Sequence, residues 1–340
     1  MPRKSIHDAS PQKLRNTDLK TVRLGSKPFS ASVPYYRAYQ EPVLSKETIS
    51  EDVRKLKLFA KFFEDLYDSG GCSTMDPRKI TEPMIMEFIM WMKERNLAAS
   101  TQVSYLKILN RLLILFGNNV IPEMRNGHTY KFPKVNRDTP ISALSREELR
   151  LVFDTTYNLR GWSGIAFRGL LALSFGTASR PKEVIRARVE DLNLKNAEFY
   201  VRHPKGEGTW GIPQAIPIIR LDMVPYLEEF LRDREKILEE YGIESKYLFF
   251  NPNNGAPFVE QTMRRLKCKV EDMCGISFKL KDMRSTCASL TVNNNVERLN
   301  AVSEQLRHAS PDTTRRYYAR INRQEAIKKG IGDAWKENEI

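Results

Sequence analysis

A polar, proline-containing stretch near the middle of the chain separates two blocks of regular hydrophobic periodicity. It covers residues 117–140 and reads GNNVIPEMRNGHTYKFPKVNRDTP. Clusters of Asn, Gly and Pro interrupt helices and strands, so this stretch is typical of a linker. The chain has 340 residues, which is enough for about two domains of ordinary size. The sequence therefore predicts two domains joined by a linker.

The block before the linker predicts a small helical domain. Apolar residues recur at helical spacing from about Ser45, again after Thr81, and again from Ser100 to Gly117. The faces predicted to be exposed carry candidate DNA contacts, although single basic residues are more often merely solvated. These candidates are Lys55, Lys57, Lys61, Lys107 and Arg111.

The first 45 residues are basic and show no obvious helical period. Eight Lys and Arg and three Asp and Glu leave a net charge of +5 in this segment. The pattern predicts a flexible arm, which either contacts DNA or is a solvated tail.

The block after the linker predicts a mainly helical domain with a small β-sheet. Ser145 and Glu148 form a capping box at a helix start, and residues 165–175 read as a buried helix. Strands are predicted at 198–202 and 215–219, on either side of the polar hairpin HPKGEGTWGIPQ. Four further helical segments are predicted at about 222–241, 259–273, 282–294 and 297–307.

Net charge restricts the class of partner. The chain carries a formal charge of +13 and a pI of about 9.5, which favours a polyanion, with nucleic acid as the default. An acidic membrane is the alternative, but no apolar run approaches the roughly 20 residues of a membrane span. The start, MPRKSIHDAS, has no signal-peptide core, so we expect a soluble, intracellular protein.

Metal and nucleotide cofactors are not expected. The four cysteines form no CxxC pair, and with four histidines no zinc spacing can be assembled. Neither GxxxxGK[ST] nor GxGxxG occurs.

Five polar residues of the second block stand in positions that favour phosphate chemistry. Arg180 lies at a predicted helix start with Glu183 three positions later, and Lys205 lies at the tip of the hairpin. Lys281 and Arg284 are one helical turn apart and so face the same way. Taken singly, each has a simpler interpretation as an ion pair, a turn lysine or a solvated cation.

The stretch HASPDTTRRYYAR places two phenols among cations. Tyr317 and Tyr318 follow Arg315 and Arg316, and His308 precedes Tyr317 by nine positions. A phenol with a pKa of about 10 is a poor nucleophile at neutral pH, but cations around a phosphate stabilise the charge that develops when it is attacked. A surface helix with solvated charges is the alternative.

The order of these residues along the chain resembles that of the tyrosine recombinases. The order is an Arg with its Glu, a hairpin Lys, a KxxR pair, a His and a Tyr. ASRPKEV is similar to the family's first arginine box, LKDMRSTCAS to its second, and QLRHASPDTTRRYY to its third box with the nucleophile. The helical block at 46–117 resembles the family's core-binding domain, so that the resemblance covers residues 46–325.

The resemblance implies a role for each matched residue. Tyr317 would attack a DNA phosphodiester and form a 3′-phosphotyrosyl bond, since its interval of nine from His308 fits the family and the ten of Tyr318 does not. The other implied roles are phosphate binding by Arg180, Arg284 and His308, general acid catalysis by Lys205, added positive charge or proton handling by Lys281, and structural support by Glu183. Arg315 and Arg316 are further candidate DNA contacts.

Two residues depart from the family pattern. Lys281 stands where the family usually has histidine, a substitution familiar from integrases of archaeal viruses and plasmids. Arg307 stands where the family has glycine before the third-box histidine, so that the local turn is expected to differ.

The resemblance also implies an organisation and partners. The expected segments are an arm at 1–45, a core-binding domain at 46–125, a linker at 126–140, a catalytic domain at 141–325 and a tail at 326–340 that is a candidate subunit contact. The expected partners are double-stranded DNA with specific attachment sites and three further copies of the chain in a tetramer, without a cofactor. The expected location is the cytoplasm, at the nucleoid or in a viral host. The alternatives are a type IB topoisomerase and a non-catalytic DNA-binding protein.

Overall fold

A computed structural model of the chain describes residues 10–135, 142–292, 298–307 and Thr314. The chain forms two compact units, Met1–Asp138 and Thr139–Ile340. The division between them falls within the stretch predicted as a linker. None of the described helices combines the length and the apolar character that crossing a bilayer requires.

The first unit is helical throughout its described part. Its three long helices begin and end within a few residues of the predicted positions, so those predictions are confirmed. Ser45 is the N-cap of α3, where its hydroxyl accepts a hydrogen bond from the Thr48 N–H at 3.3 Å. The helices are α1 Pro11–Arg15, α2 Pro28–Gln40, α3 Lys46–Asp68, α4 Glu82–Glu94, α5 Ala99–Leu115 and α6 Val120–Asn126.

Aromatic rings from three helices build the core of this unit. The ring of Phe59 on α3 lies 5.0 Å from that of Phe88 on α4, and Phe29 on α2 lies 5.1 Å from Phe63. All four side chains are fully buried. Offset and edge-on ring pairs of this kind add to the stabilisation from apolar burial.

The prediction of a flexible arm at 1–45 is wrong for the part that the structure describes. Helix α2 lies within that segment and places Phe29, Val33 and Tyr36 in the core. The Tyr36 hydroxyl donates to the buried carboxylate of Asp52 on α3 at 2.7 Å. Positions 29, 33 and 36 follow a helical period that the surplus of basic residues obscured. Residues 1–9 lie outside the described part.

The stretch at 117–140 also contains a helix, α6, which the sequence did not predict. Ile121 and Met124 of α6 are buried in the first unit. A polar composition concealed two apolar positions three residues apart, which lie on one face of a helix. Residues 120–126 therefore belong to the first unit rather than to a linker.

The second unit is mainly helical with a three-stranded antiparallel sheet of order β1-β2-β3, which confirms the predicted fold class. Ser145 and Glu148 form the predicted capping box, with bonds of 3.1 and 2.7 Å. The elements are α7 Arg146–Thr156, α8 Gly161–Thr177, α9 Pro181–Ile185, β1 Leu192–Asn193, β2 Glu198–Val201, β3 Gln214–Pro217, α10 Val224–Tyr241, α11 Glu260–Cys274, α12 Asp282–Val292 and α13 Leu299–Leu306.

Helix α8 is the centre of the second unit. It is buried along nearly its whole length and packs against α7, α10, α11 and α12. Gly169 allows the close approach of α10, because a Cβ at this position would lie 2.6 Å from the ring of Phe230. Ala178 follows the last residue of α8, and its φ of 54° turns the chain towards α9. This turn positions the residues of the candidate site.

Candidate active site

A cleft of about 860 Å³ lies in the second unit between α9, the β2–β3 hairpin, the start of α11 and the start of α12. Four cations predicted as catalytic line it, Arg180, Lys205, Lys281 and Arg284, and so does Glu183. The sequence did not single out the other cations, which are Lys182, Arg186, Arg264, Lys267 and Lys279. Nine Lys and Arg against two Glu give the lining a formal charge of +7. Such a cleft favours a phosphate-bearing ligand.

Arg180 is held in place but remains accessible. It is the N-cap of α9, and its backbone N–H donates to Glu183 Oε2 at 2.9 Å while its Nη1 donates to Glu183 Oε1 at 3.0 Å. Its side chain is 24% exposed. The guanidinium is thus oriented by one carboxylate and retains donors that a ligand in the cleft can use.

Glu183 connects three segments of the site. Its side chain is only 2% exposed, and it accepts from Arg180, from the guanidinium of Arg307 and, at 3.4 Å, from the backbone N–H of Lys205. Burial raises the pKa of this carboxyl, but the charges of Arg307 and Arg180 and the Arg180 N–H outweigh it and hold the pKa below its usual value. Glu183 is therefore a carboxylate at neutral pH.

Arg284 joins two chain turns to α12. Its guanidinium donates from Nη1 to the carbonyl of Ala178 at 2.7 Å and from Nη2 to the carbonyl of Leu306. These carbonyls belong to the turn that follows α8 and to the last turn of α13. The side chain is buried, so it positions those turns as well as lining the cleft.

Lys281 lies directly before α12 and is exposed in the cleft. Its neighbour Asp282 caps this turn, accepting from the Lys279 N–H at 2.8 Å and from the Ser142 hydroxyl at 2.9 Å. Lys281 and Arg284 line the same cleft, although Lys281 lies before the first residue of α12 and not on the helix itself.

Lys205 is exposed near the tip of a tightly folded hairpin. The Gly206 carbonyl accepts from the N–H groups of Thr209 and Gly211 at 2.9 and 2.8 Å. Gly206 and Gly208 have φ values of 82° and 80°, a conformation that favours glycine. The ring of Trp210 lies directly against Gly206.

Among the predicted DNA contacts of the first unit, Lys57, Lys61 and Lys107 are exposed. The expected exposure is wrong for Lys55 and Arg111, which are half-buried. The Lys55 ammonium lies 3.3 Å from Glu51, and Arg111 Nη2 lies 3.3 Å from the buried carboxylate of Asp52. These two cations serve contacts within the unit, since α3 and α5 pack against each other there.

His308, Arg315, Arg316, Tyr317 and Tyr318 lie outside the described residues, so their predicted roles remain predictions. Throughout the described part, no three His, Cys, Asp or Glu side chains converge to hold a metal ion. Arg307 is a functional candidate that the sequence marked only as a departure from a pattern. No sequence signal indicated its pairing with Glu183, which is 124 positions away.

The phage integrase family profile matches residues 143–325, which is more than half of the chain. No curated protein matches the sequence.

Among solved structures, the chain resembles XerH site-specific recombinase in a post-cleavage complex with palindromic difH substrate. The identity is 17% and the TM-score 0.65, covering 92% of this chain and 100% of that one. It also resembles a lambda integrase tetramer bound to a Holliday junction, at 18% identity and a TM-score of 0.60, covering 91% and 84%. At these identities the likeness shows the fold.

Proposed function

The chain belongs to the phage integrase family, and from this we propose that it cleaves and rejoins DNA at specific sites through a 3′-phosphotyrosyl intermediate. Its enzyme class is that of the tyrosine-type site-specific DNA recombinases. The observation that carries the proposed assignment of residues is the cleft itself. Four cations drawn from three separate sequence motifs line one cavity with a formal charge of +7.

The proposed reaction conserves the number of phosphodiester bonds. The phenolic oxygen of Tyr317 attacks the scissile phosphorus, the bond between phosphorus and the 5′-oxygen breaks, and the phenol loses its proton. Lys205 on the hairpin gives a proton to the departing 5′-oxygen. The 5′-hydroxyl of a partner strand then attacks the phosphotyrosine and releases the phenol. The covalent intermediate retains the bond energy, so the reaction draws on no nucleotide.

In the proposed mechanism, Arg180, Arg284 and His308 stabilise the negative charge on the attacked phosphate. The attacked phosphate gains negative charge in the transition state, and fixed N–H donors in a cleft stabilise that charge more than mobile water does. The carboxylate of Glu183 supports this role by fixing the direction of the Arg180 guanidinium. Lys281 adds positive charge beside the phosphate or accepts the tyrosine proton when neutral, and its presence in place of histidine motivates the proposal of an archaeal virus or plasmid as the source.

Proposed partners follow from charge and from the related structures. XerH and lambda integrase have been solved on DNA substrates, and lambda integrase as a tetramer. We propose that this chain likewise acts on duplex attachment sites as a homotetramer in the cytoplasm. Lys57, Lys61 and Lys107 are proposed DNA contacts of a core-binding domain at 46–125. The segments 126–140 and 326–340 are the proposed linker and subunit contact.

A nicked DNA substrate tests the proposed chemistry, because the short 5′ fragment diffuses away and traps the covalent intermediate. We expect an adduct with the wild type and with Tyr318→Phe, and none with Tyr317→Phe, which should still bind DNA. The opposite result for the two tyrosines would move the nucleophile by one residue.

A second assay distinguishes the alternatives. Strand exchange between two DNA molecules carrying the sites supports recombination. Relaxation of supercoils without exchange would indicate a topoisomerase, and binding with no adduct from the wild type would indicate a non-catalytic DNA-binding protein.

A further inference from the structure

Arg307 combines a backbone conformation suited to glycine with a side chain turned into the protein. It ends α13 with φ 50° and ψ 50°, where a residue with a Cβ is strained. Its side chain is nevertheless only 9% exposed and forms an ion pair with Glu183, which is 2% exposed. A residue that served only to end the helix would be glycine or a solvated side chain.

The guanidinium of Arg307 is also incompletely satisfied. Its Nη2 donates to Glu183 Oε2, whereas Nε and Nη1 are buried and have no hydrogen-bond partner among the residues that the structure describes. Buried donors without partners oppose folding. Both the backbone and the donors therefore indicate that this arginine is retained for something other than stability.

The other side of the ion pair is the carboxylate that orients Arg180. Glu183 accepts from the Arg180 side chain at 3.0 Å and from the Lys205 N–H at 3.4 Å. With Arg180 as its only cationic partner, this buried carboxylate would cancel the Arg180 charge. With Arg307 present, the three groups together carry a charge of +1. Glu183 can then orient the Arg180 guanidinium without neutralising its positive charge.

We propose that Arg307 is a positioning residue that balances the charge of Glu183 and so keeps Arg180 available to the scissile phosphate. The inference rests on the proposed function, because it needs a phosphate in the cleft. Arg307 acts here through Glu183 and Arg180 rather than by touching the phosphate.

The first test is Arg307→Gly, which removes the guanidinium and suits the left-handed backbone. We expect DNA affinity within about twofold of the wild type and single-turnover cleavage of the nicked substrate slower by about 10- to 100-fold. Arg307→Lys keeps the charge and should recover part of the rate. If Arg307→Gly does not fold, Arg307→Asn carries the same expectation, because asparagine tolerates this conformation.

The decisive test adds a second substitution. Arg307→Gly leaves a buried carboxylate with one cation, and Glu183→Gln removes that surplus negative charge. We therefore expect the Arg307→Gly/Glu183→Gln double variant to cleave faster than Arg307→Gly alone. A role in packing alone predicts that the two losses add.

Arg168→Gln is the matched control. Arg168 is 8% exposed and pairs with Glu229 at 2.9 Å outside the cleft, so its loss should lower Tm without slowing cleavage. Wild-type cleavage rates in Arg307→Gly and Arg307→Asn, or a double variant no faster than the single one, would overturn the inference while leaving the proposed function intact. If the wild type forms no adduct, the proposed function fails, and the inference fails with it.

Discussion

Arg180 and Arg284 line the same cleft but depend on different partners. Arg180 is bound by a carboxylate and is about a quarter exposed, whereas Arg284 is buried and donates to the carbonyls of Ala178 and Leu306. Removal of Arg180 leaves Glu183 with Arg307 as a partner. Removal of Arg284 leaves two interior carbonyls without their donors, and those carbonyls lie in different parts of the unit.

Substitution by alanine should therefore separate chemistry from stability at these two positions. We expect Arg284→Ala to lower the free energy of unfolding by about 2–4 kcal/mol, since buried polar groups lose their partners. Arg180→Ala should cost about 1 kcal/mol or less and still abolish adduct formation. Urea unfolding of both variants measures the difference, and equal losses would contradict this account of Arg284.

The carboxylate of Glu183 gives a second residue-level prediction. Its pKa in the folded protein lies below the usual value, because Arg307 and Arg180 outweigh burial. The stabilisation is thus fully present above the unfolded-state pKa of about 4.3 and is lost as pH falls through the folded-state value. Unfolding of wild type and Glu183→Gln across this range should show a stability difference at pH 7 that shrinks below about pH 4. A stability difference that does not change with pH would show that the charge of Glu183 does not stabilise the folded protein.

At the scale of elements, the β2–β3 hairpin matters because it carries Lys205 on a turn shaped by glycines. Gly206 and Gly208 share a positive φ, but they have different surroundings. A Cβ at Gly206 would lie 2.4 Å from the Trp210 ring, whereas one at Gly208 would have nothing within 4 Å. Alanine at Gly208 therefore introduces backbone strain alone, whereas alanine at Gly206 also displaces the turn beside Lys205.

Gly206→Ala should slow cleavage more than Gly208→Ala, because only the former adds a Cβ that collides with the Trp210 ring and so displaces the turn next to Lys205. If Lys205 is the general acid, a substrate with sulfur in place of the bridging 5′-oxygen should reduce the defect, since a thiolate leaves without protonation. Single-turnover cleavage of both substrates by both variants is the measurement. Equal defects in the two variants, or no recovery with sulfur, would contradict this role of the hairpin.

Elements were predictable from the sequence when the residues that determine them lie close together along the chain. The α3, α4 and α5 helices and the Ser145 capping box arise from residues within a few positions of one another, and they were predicted. Helix α2 was not predicted because the surplus of basic residues in this segment obscures the helical period of Phe29, Val33 and Tyr36. The order of motifs singled out four cations that line one cleft, but it gave no information on their contacts. The pairing of Arg307 with Glu183 joins distant segments through tertiary packing, which no local pattern reveals.

For the whole molecule, the dominant property is positive charge. The chain carries +13 in total, the cleft lining alone has a formal charge of +7, and Lys57, Lys61 and Lys107 are exposed on the other unit. Binding to DNA should be governed by phosphate contacts and by the counterions that they release.

Affinity for DNA should fall steeply as salt increases. Each phosphate neutralised contributes about −0.9 to the slope of log affinity against log salt concentration. Lys57→Gln should reduce the magnitude of that slope by about 1 if the lysine contacts a phosphate. Filter binding or anisotropy at several salt concentrations provides the slopes, and a slope near zero for the wild type would exclude binding through phosphates.

The crowding of nine cations around one cleft also has a consequence for the empty enzyme. Like charges repel most strongly when no anion lies between them. Repulsion among the cations of the cleft therefore lowers the stability of the folded protein when no anion is bound. Inorganic sulfate or heparin should reduce this repulsion and raise Tm, and should compete with DNA for the cleft. Nucleic acid from a cell extract should bind the same cleft and stabilise the protein in the same way, so its removal during purification should lower Tm.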